Sequence, residues 1–509
     1  MSELKEVSVA RFFYENRDLA GFSSPTRAVF TAVREFIENA LDATESMGIL
    51  PEIKVQIREI TLPGNIRAYE LTVEDNGCGV PEEQVPIAFG KILVSSKYKL
   101  QQMRGVFGLG GKMAILYSQI TTHQPAKVWT STGGKYFSYF EILIDINKNE
   151  PIVLKRKKLP NPKRKSGTKI SIAIVGNYRR AARKIYEYIK RTAMVAPYAE
   201  ITYITPTNEV FHFKRATTKM PKPPTETLPH PHGVDLELLT RVIEITKTRN
   251  MVGFLTTHFH RIGEKTAKRF LEFCGINPRR NPKKLTRDEL VRLMNKMHEF
   301  RFLPPKADCL SPIGEEIFRA GIKKELEPEF IAVHQRKPSA YGGHPFIVEV
   351  AVAYGGKIPA RDKITVYRFA NRIPLIYDEG GDAIVSLVRS FNWKRYRVSE
   401  SAPLVVFVHL CSTKIPYKTV GKEIIAERPE IQREVLNGLH NVARELRLFL
   451  SRKARRQREK QRLEVYKKYL TKISRFSAEV IKRKPPDITI ILKKLIKYSE
   501  VSESEKKKR

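Results

Sequence analysis

The chain reads as a multidomain α+β protein, and three observations predict this. Its 509 residues exceed what one domain usually holds and suffice for about three. Strand-like alternation and helical periodicity mix up to about residue 220, helical periodicity alone runs on to about 306, and strands return from about 308. A Pro-rich stretch without periodicity, KMPKPPTETLPHPHGVD at 219–235, reads as a linker between the first two regions.

Each element of the first region has a local reason. Ser24-Pro25 supplies an N-cap and a first-turn proline, and Gly48 closes the helix that follows. Within it, VREFIENALDAT (33–44) puts Glu35, Asn39 and Asp42 at i, i+4 and i+7, within roughly 40° of one another. Val29, Val33, Phe36, Ile37, Ala40 and Leu41 form the opposing apolar stripe, and Glu38 lies off the polar cluster. A polar stripe alone is a solvated helix face; other segments must lift it above that. IKVQIREI and AYELTVE alternate as strands around a Pro-Gly-Asn turn, and the second runs into DNGCG at 75–79. A glycine-punctuated stretch from about Phe89 to Lys112 ends at a helix beginning near Met113. FSYFEILIDI and TKISIAIVG are further strands, and RRAARKIYEYIKRTAMV is a helix.

In the helical middle, LTRDEL offers a capping box, Thr286 with Glu289, and HRIGEKTAKRFLEFCGI has the glycine turn and helix of small DNA-binding helical modules. An ordinary helical linker domain reads the same residues equally well. HPFIVEVAVAYGG, KITVYRFANRIPLIYD and PLVVFVHLCST are the strands of the third region. A helical region from about 428 runs through SRKARRQREKQRLEVYKKYL until KRKPPD breaks it, and SESEKKKR is expected to be disordered.

Lys and Arg total 92 against 54 Asp and Glu, a net charge of +38 that favours a polyanionic partner, most simply nucleic acid. Clusters at 154–165, 277–284 and 452–461 are candidates for sequence-independent, salt-sensitive phosphate contacts, although charge runs are more often solvated surface. There is no apolar leader at Met1 and no apolar run near the ~18 residues of a membrane span. Four scattered cysteines without a Cys-x-x-Cys point to a reducing cytoplasm, no disulfide and no zinc site.

Three segments carry the chemistry. Asp75, ending a strand and followed by Gly77 and Gly79, is either a turn or a carboxylate that accepts from the exocyclic amine of an adenine. In RGVFGLGGKMA (104–114), Gly105, Gly108 and Gly110 make a loop whose N–H groups can face an anion just before a helix N-terminus, and Lys112 adds a point charge. A Walker A motif is excluded by the glycine spacing and by Met113 where a Ser or Thr is required. Each segment is weak alone. Their order is specific: Glu-x-x-x-Asn-x-x-Asp, Asp-x-Gly-x-Gly, Gly-x-x-Gly-x-Gly, then Gly167-Thr168 opening a strand.

This combination resembles the GHKL ATPases, whose Bergerat α/β sandwich is shared by gyrase, MutL, heat-shock chaperones and histidine kinases. The resemblance implies ATP and Mg²⁺ as ligands, with Glu35 as general base, Asn39 as the metal ligand and Asp42 as a further nucleotide-binding residue. It implies Asp75 on the adenine, Gly77 and Gly79 lining its pocket, and Thr168 supporting that contact. Gly105, Val106, Phe107, Gly108, Leu109, Gly110, Gly111 and Lys112 would form a lid over the phosphates, with Gly111 as an extra, loosening glycine. Ser95, Ser96 and Lys97 would also meet the nucleotide.

SPTRAVFTAVREFIENALDAT, FGKILVSSKY, RGVFGLGGKMAILYSQ, INKNEPI, KPSAYGGHPFIVE, FANRIPLIYD and HLCSTKIPYKTVGKE are similar to the DNA topoisomerase VI B-subunit family along nearly the whole chain. That similarity implies a GHKL domain (1–228), a helix–two-turns–helix domain (229–307), and a transducer with a right-handed β-α-β element and a long C-terminal helix (308–470), before a partly disordered extension (471–509). It implies that Lys422 of TVGKE reaches the γ-phosphate, with Lys414 a weaker candidate. The implied partners are duplex DNA, a second copy of this chain joined on ATP binding, and a cleaving A subunit in an A2B2 assembly. The expected setting is the nucleoid of an archaeal cytoplasm. No Asp-x-Asp of a cleavage domain and no domain beyond the transducer is found, so strand cleavage is expected to belong to another chain. A GHKL chaperone, a mismatch-repair clamp, or a non-enzymatic DNA-binding scaffold are the alternatives.

Overall fold

A computed structural model describes residues 7–94, 100–105, 109–399, 401–418, 421–485, 487–489 and 491. It divides into two compact units, residues 1–391 with 401–442, and residues 392–400 with 443–509.

The first unit begins with helices α1 (Val9–Glu15) and α2 (Pro25–Glu45). Ser24 Oγ accepts from the Arg27 N–H at 3.2 Å, and Pro25 takes N1, where a missing N–H costs nothing. Strands β1 (Glu52–Leu62) and β2 (Ile66–Asp75) form the expected hairpin. After α3 (Val85–Gly90) and α4 (Gly110–Thr122) come β3 (Ala126–Thr132), β4 (Tyr136–Asp145), β5 (Glu150–Pro160), β6 (Ser166–Ile174), α5 (Tyr178–Val195), β7 (Glu200–Ile204) and β8 (Val210–Phe213). The eight strands order as β5-β4-β3-β6-β2-β1-β7-β8, antiparallel except for β1 with β7. Helices α2, α4 and α5 pack together on this sheet, which puts the end of β2 beneath α2.

The helical middle holds α6 (Leu236–Ile245), α7 (Met251–His258), α8 (Glu264–Cys274) and α9 (Arg287–Glu299). Both halves of the Thr286–Glu289 capping box form, and Phe254, Phe270, Leu271 and Met297 are buried in a core of its own.

A second sheet follows α10 (Glu315–Leu326), from β9 (Phe330–Gln335), β10 (Ser339–Tyr341), β11 (His344–Tyr354), β12 (Thr365–Ala370), β13 (Ile373–Leu375) and β14 (Leu404–Ser412). Strands β12 and β14 are parallel, so they need a crossover, and α11 (Ala383–Ser390) lies within it. Strand β14 is buried at every residue, as a central strand covered on both faces must be. Glu349 and His409 meet in register across β11 and β14, 2.7 Å apart, and the same carboxylate accepts from the N–H groups of Ile313 and Gly314 at the start of α10. Helix α12 (Pro429–Val480) begins in the first unit.

The second unit contains the remainder of α12 and the turn at Trp393–Tyr396, whose two aromatic rings are buried. No helix among the described residues is long and apolar enough to cross a membrane. The SESEKKKR tail lies outside the described residues.

Candidate nucleotide site

A cavity of about 460 Å³ opens between α2, the start of α4, the ends of β2 and β6, and the loop that carries Lys422. Asp75, at the end of β2, is among its lining residues. The Asp75 Oδ1 accepts from the Gly77 N–H at 2.8 Å and the Thr168 N–H at 3.3 Å. Burial pushes the Asp75 carboxyl up to about 6, against those two N–H groups, which favour its charge. Thr168 is braced by Thr130 of β3, with the two hydroxyl oxygens 3.0 Å apart, and Thr130 Oγ1 also accepts from the Val80 N–H at 2.8 Å. Thr130 went unread in the sequence because one threonine in a strand carries no pattern.

Gly77 and Gly79 flank Asp75 rather than line the cavity. Gly79 has φ +70°, and a Cβ there would stand 2.0 Å from the Ser131 carbonyl oxygen.

The polar face of α2 also borders the cavity. Glu35 and Asn39 both line the cavity, together with Gly105, Leu109, Gly110, Gly111 and Lys112. Gly110 and Gly111 form the first turn of α4. A Cβ on Gly110 would lie 1.6 Å from Glu35 Oε2, and one on Gly111 would lie 2.9 Å from Asn39 Nδ2, so the glycines let backbone touch the functional side chains. Lys112 is buried, donates to the Val94 carbonyl, and is pulled down to about 8 by desolvation. Ser95, Ser96, Lys97, Val106, Phe107 and Gly108 lie outside the described residues.

Asp42 lies away from the cavity and pairs with Arg104 at 2.9 Å. Arg104 also grips Glu45 at 2.7 Å, and Glu45 in turn meets Arg372 at 3.3 Å and the Tyr198 hydroxyl at 2.7 Å. Burial opposes the Glu45 charge, yet Arg104 and Arg372 hold the carboxyl below its ordinary range. Glu38, off the polar stripe, is buried against α5, where the Tyr188 hydroxyl donates to it at 3.2 Å. Burial, and then the charge of Glu35, push it up to about 7.

Lys422 enters the cavity from the second sheet's side, and its Nζ donates to the Arg104 carbonyl at 3.2 Å. Lys414 does not line the cavity. Two arginines seven residues apart on α2 hold the neighbours of Lys422. Arg34 donates to the Gly421 carbonyl at 3.3 Å and to Glu35 at 2.8 Å, while Arg27 pairs with Glu423 at 3.2 Å. The i, i+7 spacing of Arg27 and Arg34 was visible in the sequence, but nothing there said what would cover that face.

Fold and site together define a GHKL-class ATPase. Residues 25–172 match the family described as histidine kinase-, DNA gyrase B-, and HSP90-like ATPase, which implies ATP binding, and residues 305–462 match the topoisomerase VI B subunit transducer. The B subunit of type 2 DNA topoisomerase 6 from Metallosphaera sedula is 46% identical over 473 residues, 92% of this chain and 89% of its own. Those of Saccharolobus islandicus and Saccharolobus shibatae give the same identity and coverage. The chain belongs to the topoisomerase VI B-subunit family, the ATPase subunits of type IIB DNA topoisomerases. Among solved structures, the 43K ATPase domain of Thermus thermophilus gyrase B covers 89% of the chain at 12% identity with a TM-score of 0.36.

Proposed function

We propose that this chain is an ATP-gated clamp: two copies close around a DNA segment when ATP binds, and hydrolysis reopens them. A partner A subunit cuts the duplex through which the segment passes, giving relaxation and decatenation in an A2B2 assembly in the cytoplasm. The observation that carries this reading is the convergence of Glu35, Asn39, Asp75 and Lys422 on one cavity. Three come from the ATPase region and one from the transducer, so a bound γ-phosphate has partners on both sides.

Glu35 lies where it can take a proton from an attacking water, and Arg34 beside it fixes its orientation. Asp75 receives the adenine amine, and Thr168 with Thr130 supports that contact. Lys422 offers the cation that a departing phosphoryl group needs, and Lys112 a second. Asn39 fits Mg²⁺ through its amide oxygen. Among the described residues no group of three His, Cys, Asp or Glu side chains could hold a metal, so an ion held by Asn39 would take its remaining ligands from phosphate oxygens and water. When bound, the ion spreads phosphate charge. Asp42 acts through the Arg104 network.

ATP turnover by the purified chain, with and without duplex DNA and the A subunit, tests the reading against Glu35→Ala. Turnover that both partners raise, and that the substitution abolishes while ATP still binds, is the expected result. Turnover indifferent to DNA and partner would instead mark a chaperone-like or repair activity.

A further inference from the structure

The residue after Lys422 belongs to a cluster that the chemistry above leaves unused. Glu423 and Asp378, both from the transducer, approach the same nitrogen of Arg27: Nη2 is 3.2 Å from Glu423 Oε2 and 3.1 Å from Asp378 Oδ2. Glu423 and Asp378 are thereby crowded together, two carboxyl groups converging on one guanidinium nitrogen. The Arg27 guanidinium lies over the Tyr377 ring at 4.7 Å, and Lys184 of α5 contacts that ring at 3.4 Å. On the backbone side, Arg368 of β12 donates to the Glu423 carbonyl at 3.4 Å, and Arg34 holds Gly421. Glu423 is therefore faced by Arg27 and Arg34 from α2, Lys184 from α5, and Asp378 from the turn after β13.

Two carboxyl groups converging on one guanidinium nitrogen repel each other when both are ionised, and one proton between them relieves that repulsion. We propose that Arg27, Asp378 and Glu423 form a latch that seats Lys422 in the nucleotide cavity, and that the latch is closed while the two carboxyl groups share one proton. They are positioning residues, acting on phosphate chemistry through Lys422, and the inference rests on Lys422 being the γ-phosphate's cation.

Burial pushes the Glu423 carboxyl up to about 7, and the neighbouring Asp378 adds to it, while Asp378 itself is held below its ordinary range. A raised value in the folded state means the latch contributes fully below the ordinary glutamate range and is lost as pH rises through about 7. Above that, a second charge sits in a partly desolvated pocket, and opening the loop to water relieves it.

The test is steady-state ATP turnover by the full chain at pH 6 and pH 8, for wild type, Glu423→Gln, Asp378→Asn and Lys422→Ala. Wild-type kcat is expected to fall about three- to tenfold between the two pH values, following loss of the shared proton. Glu423→Gln cannot ionise, and in Asp378→Asn the glutamate loses the acidic partner that retains its proton. Both should flatten the fall, by opposite routes, and a purely structural role predicts no such convergence. KM should move little. If both variants keep the wild-type ratio of kcat at the two pH values, the latch is refuted while the role of Lys422 stands. If Lys422→Ala turns over ATP like wild type, the reading of Lys422 fails and the latch with it.

Discussion

Lys422 Nζ donates to the carbonyl oxygen of Arg104 at 3.2 Å, across 318 positions of sequence. Arg104 opens the glycine-rich segment, and the two residues before it are also tied to the transducer. The Gln102 amide exchanges hydrogen bonds with the Ser311 backbone at 3.0 and 2.6 Å, and Asn371 Nδ2 donates to the Met103 carbonyl at 3.1 Å. The stem of that segment therefore answers to the transducer, while Gly110 and Gly111 answer to Glu35 and Asn39.

Lys422→Ala should lower hydrolysis far more than ADP binding, because only the γ-phosphate distinguishes the two nucleotides. We expect kcat to drop about 100-fold or more with ADP affinity within about threefold. Steady-state turnover beside ADP calorimetry decides it; equal losses for ATP and ADP would leave Lys422 a general phosphate contact.

Gly110→Ala places a methyl 1.6 Å from Glu35 Oε2, so the carboxylate must move. Overpacking of this kind costs about 1–3 kcal/mol of stability, which a domain of this size survives. Turnover should fall by more than about tenfold in a protein whose near-ultraviolet dichroism matches wild type. Retained activity would mean that Glu35 does not need its observed position.

On the proposed reading, Asp75 accepts from an adenine amine more strongly when ionised, and burial has raised its carboxyl to about 6. Nucleotide affinity should thus weaken as pH falls through about 6. For folding the sign is opposite: the raised value favours the folded state at low pH, and that contribution is lost as pH rises through about 6. Asp75→Asn should cost about 10- to 100-fold in affinity and abolish its pH dependence between 5 and 7. Competition against a fluorescent ATP analogue would read both; a pH profile that survives the substitution assigns the titration elsewhere.

Arg104→Ala should strand Glu45 and Asp42 in a pocket where the arginine side chain is 3% exposed. Removing one partner of such a buried pair costs about 3–5 kcal/mol, and adding Glu45→Gln should recover part of it. Urea denaturation measures the difference. A loss under about 1 kcal/mol would show that Arg372 alone neutralises Glu45.

What could be read in the sequence follows from periodicity. IKVQIREI and AYELTVE alternate because one sheet face is buried, and they form β1 and β2 in that register. PLVVFVHLCST is apolar throughout because β14 is central. Strand β5 escaped because EPIVLKRKKLP is an edge strand exposed at almost every residue, so no face selects its side chains. In the candidate site, Glu35, Asn39, Asp75 and Gly110 were legible as spaced motifs, and Lys422 through family resemblance. Asp42 was grouped with Glu35 and Asn39 by helical angle, which does not reveal that Arg104 waits on its side. Arg27, Arg34, Glu38 and Glu45 look like ordinary surface charges of an amphipathic helix. They are partly or fully buried because residues hundreds of positions away fold over them.

On the α5 side, the ATPase region and the transducer meet through apolar packing of Met194 and Val195 with Phe318 and Ile322. On the nucleotide side they meet through Arg104, Glu45, Arg372, Arg27 and Glu423. These two halves of one seam respond to temperature to different extents. Desolvating charge becomes less unfavourable on heating, whereas apolar contacts gain little further. Heating should therefore strengthen the charged half more than the apolar half, giving the junction a thermal setting as well as a chemical one.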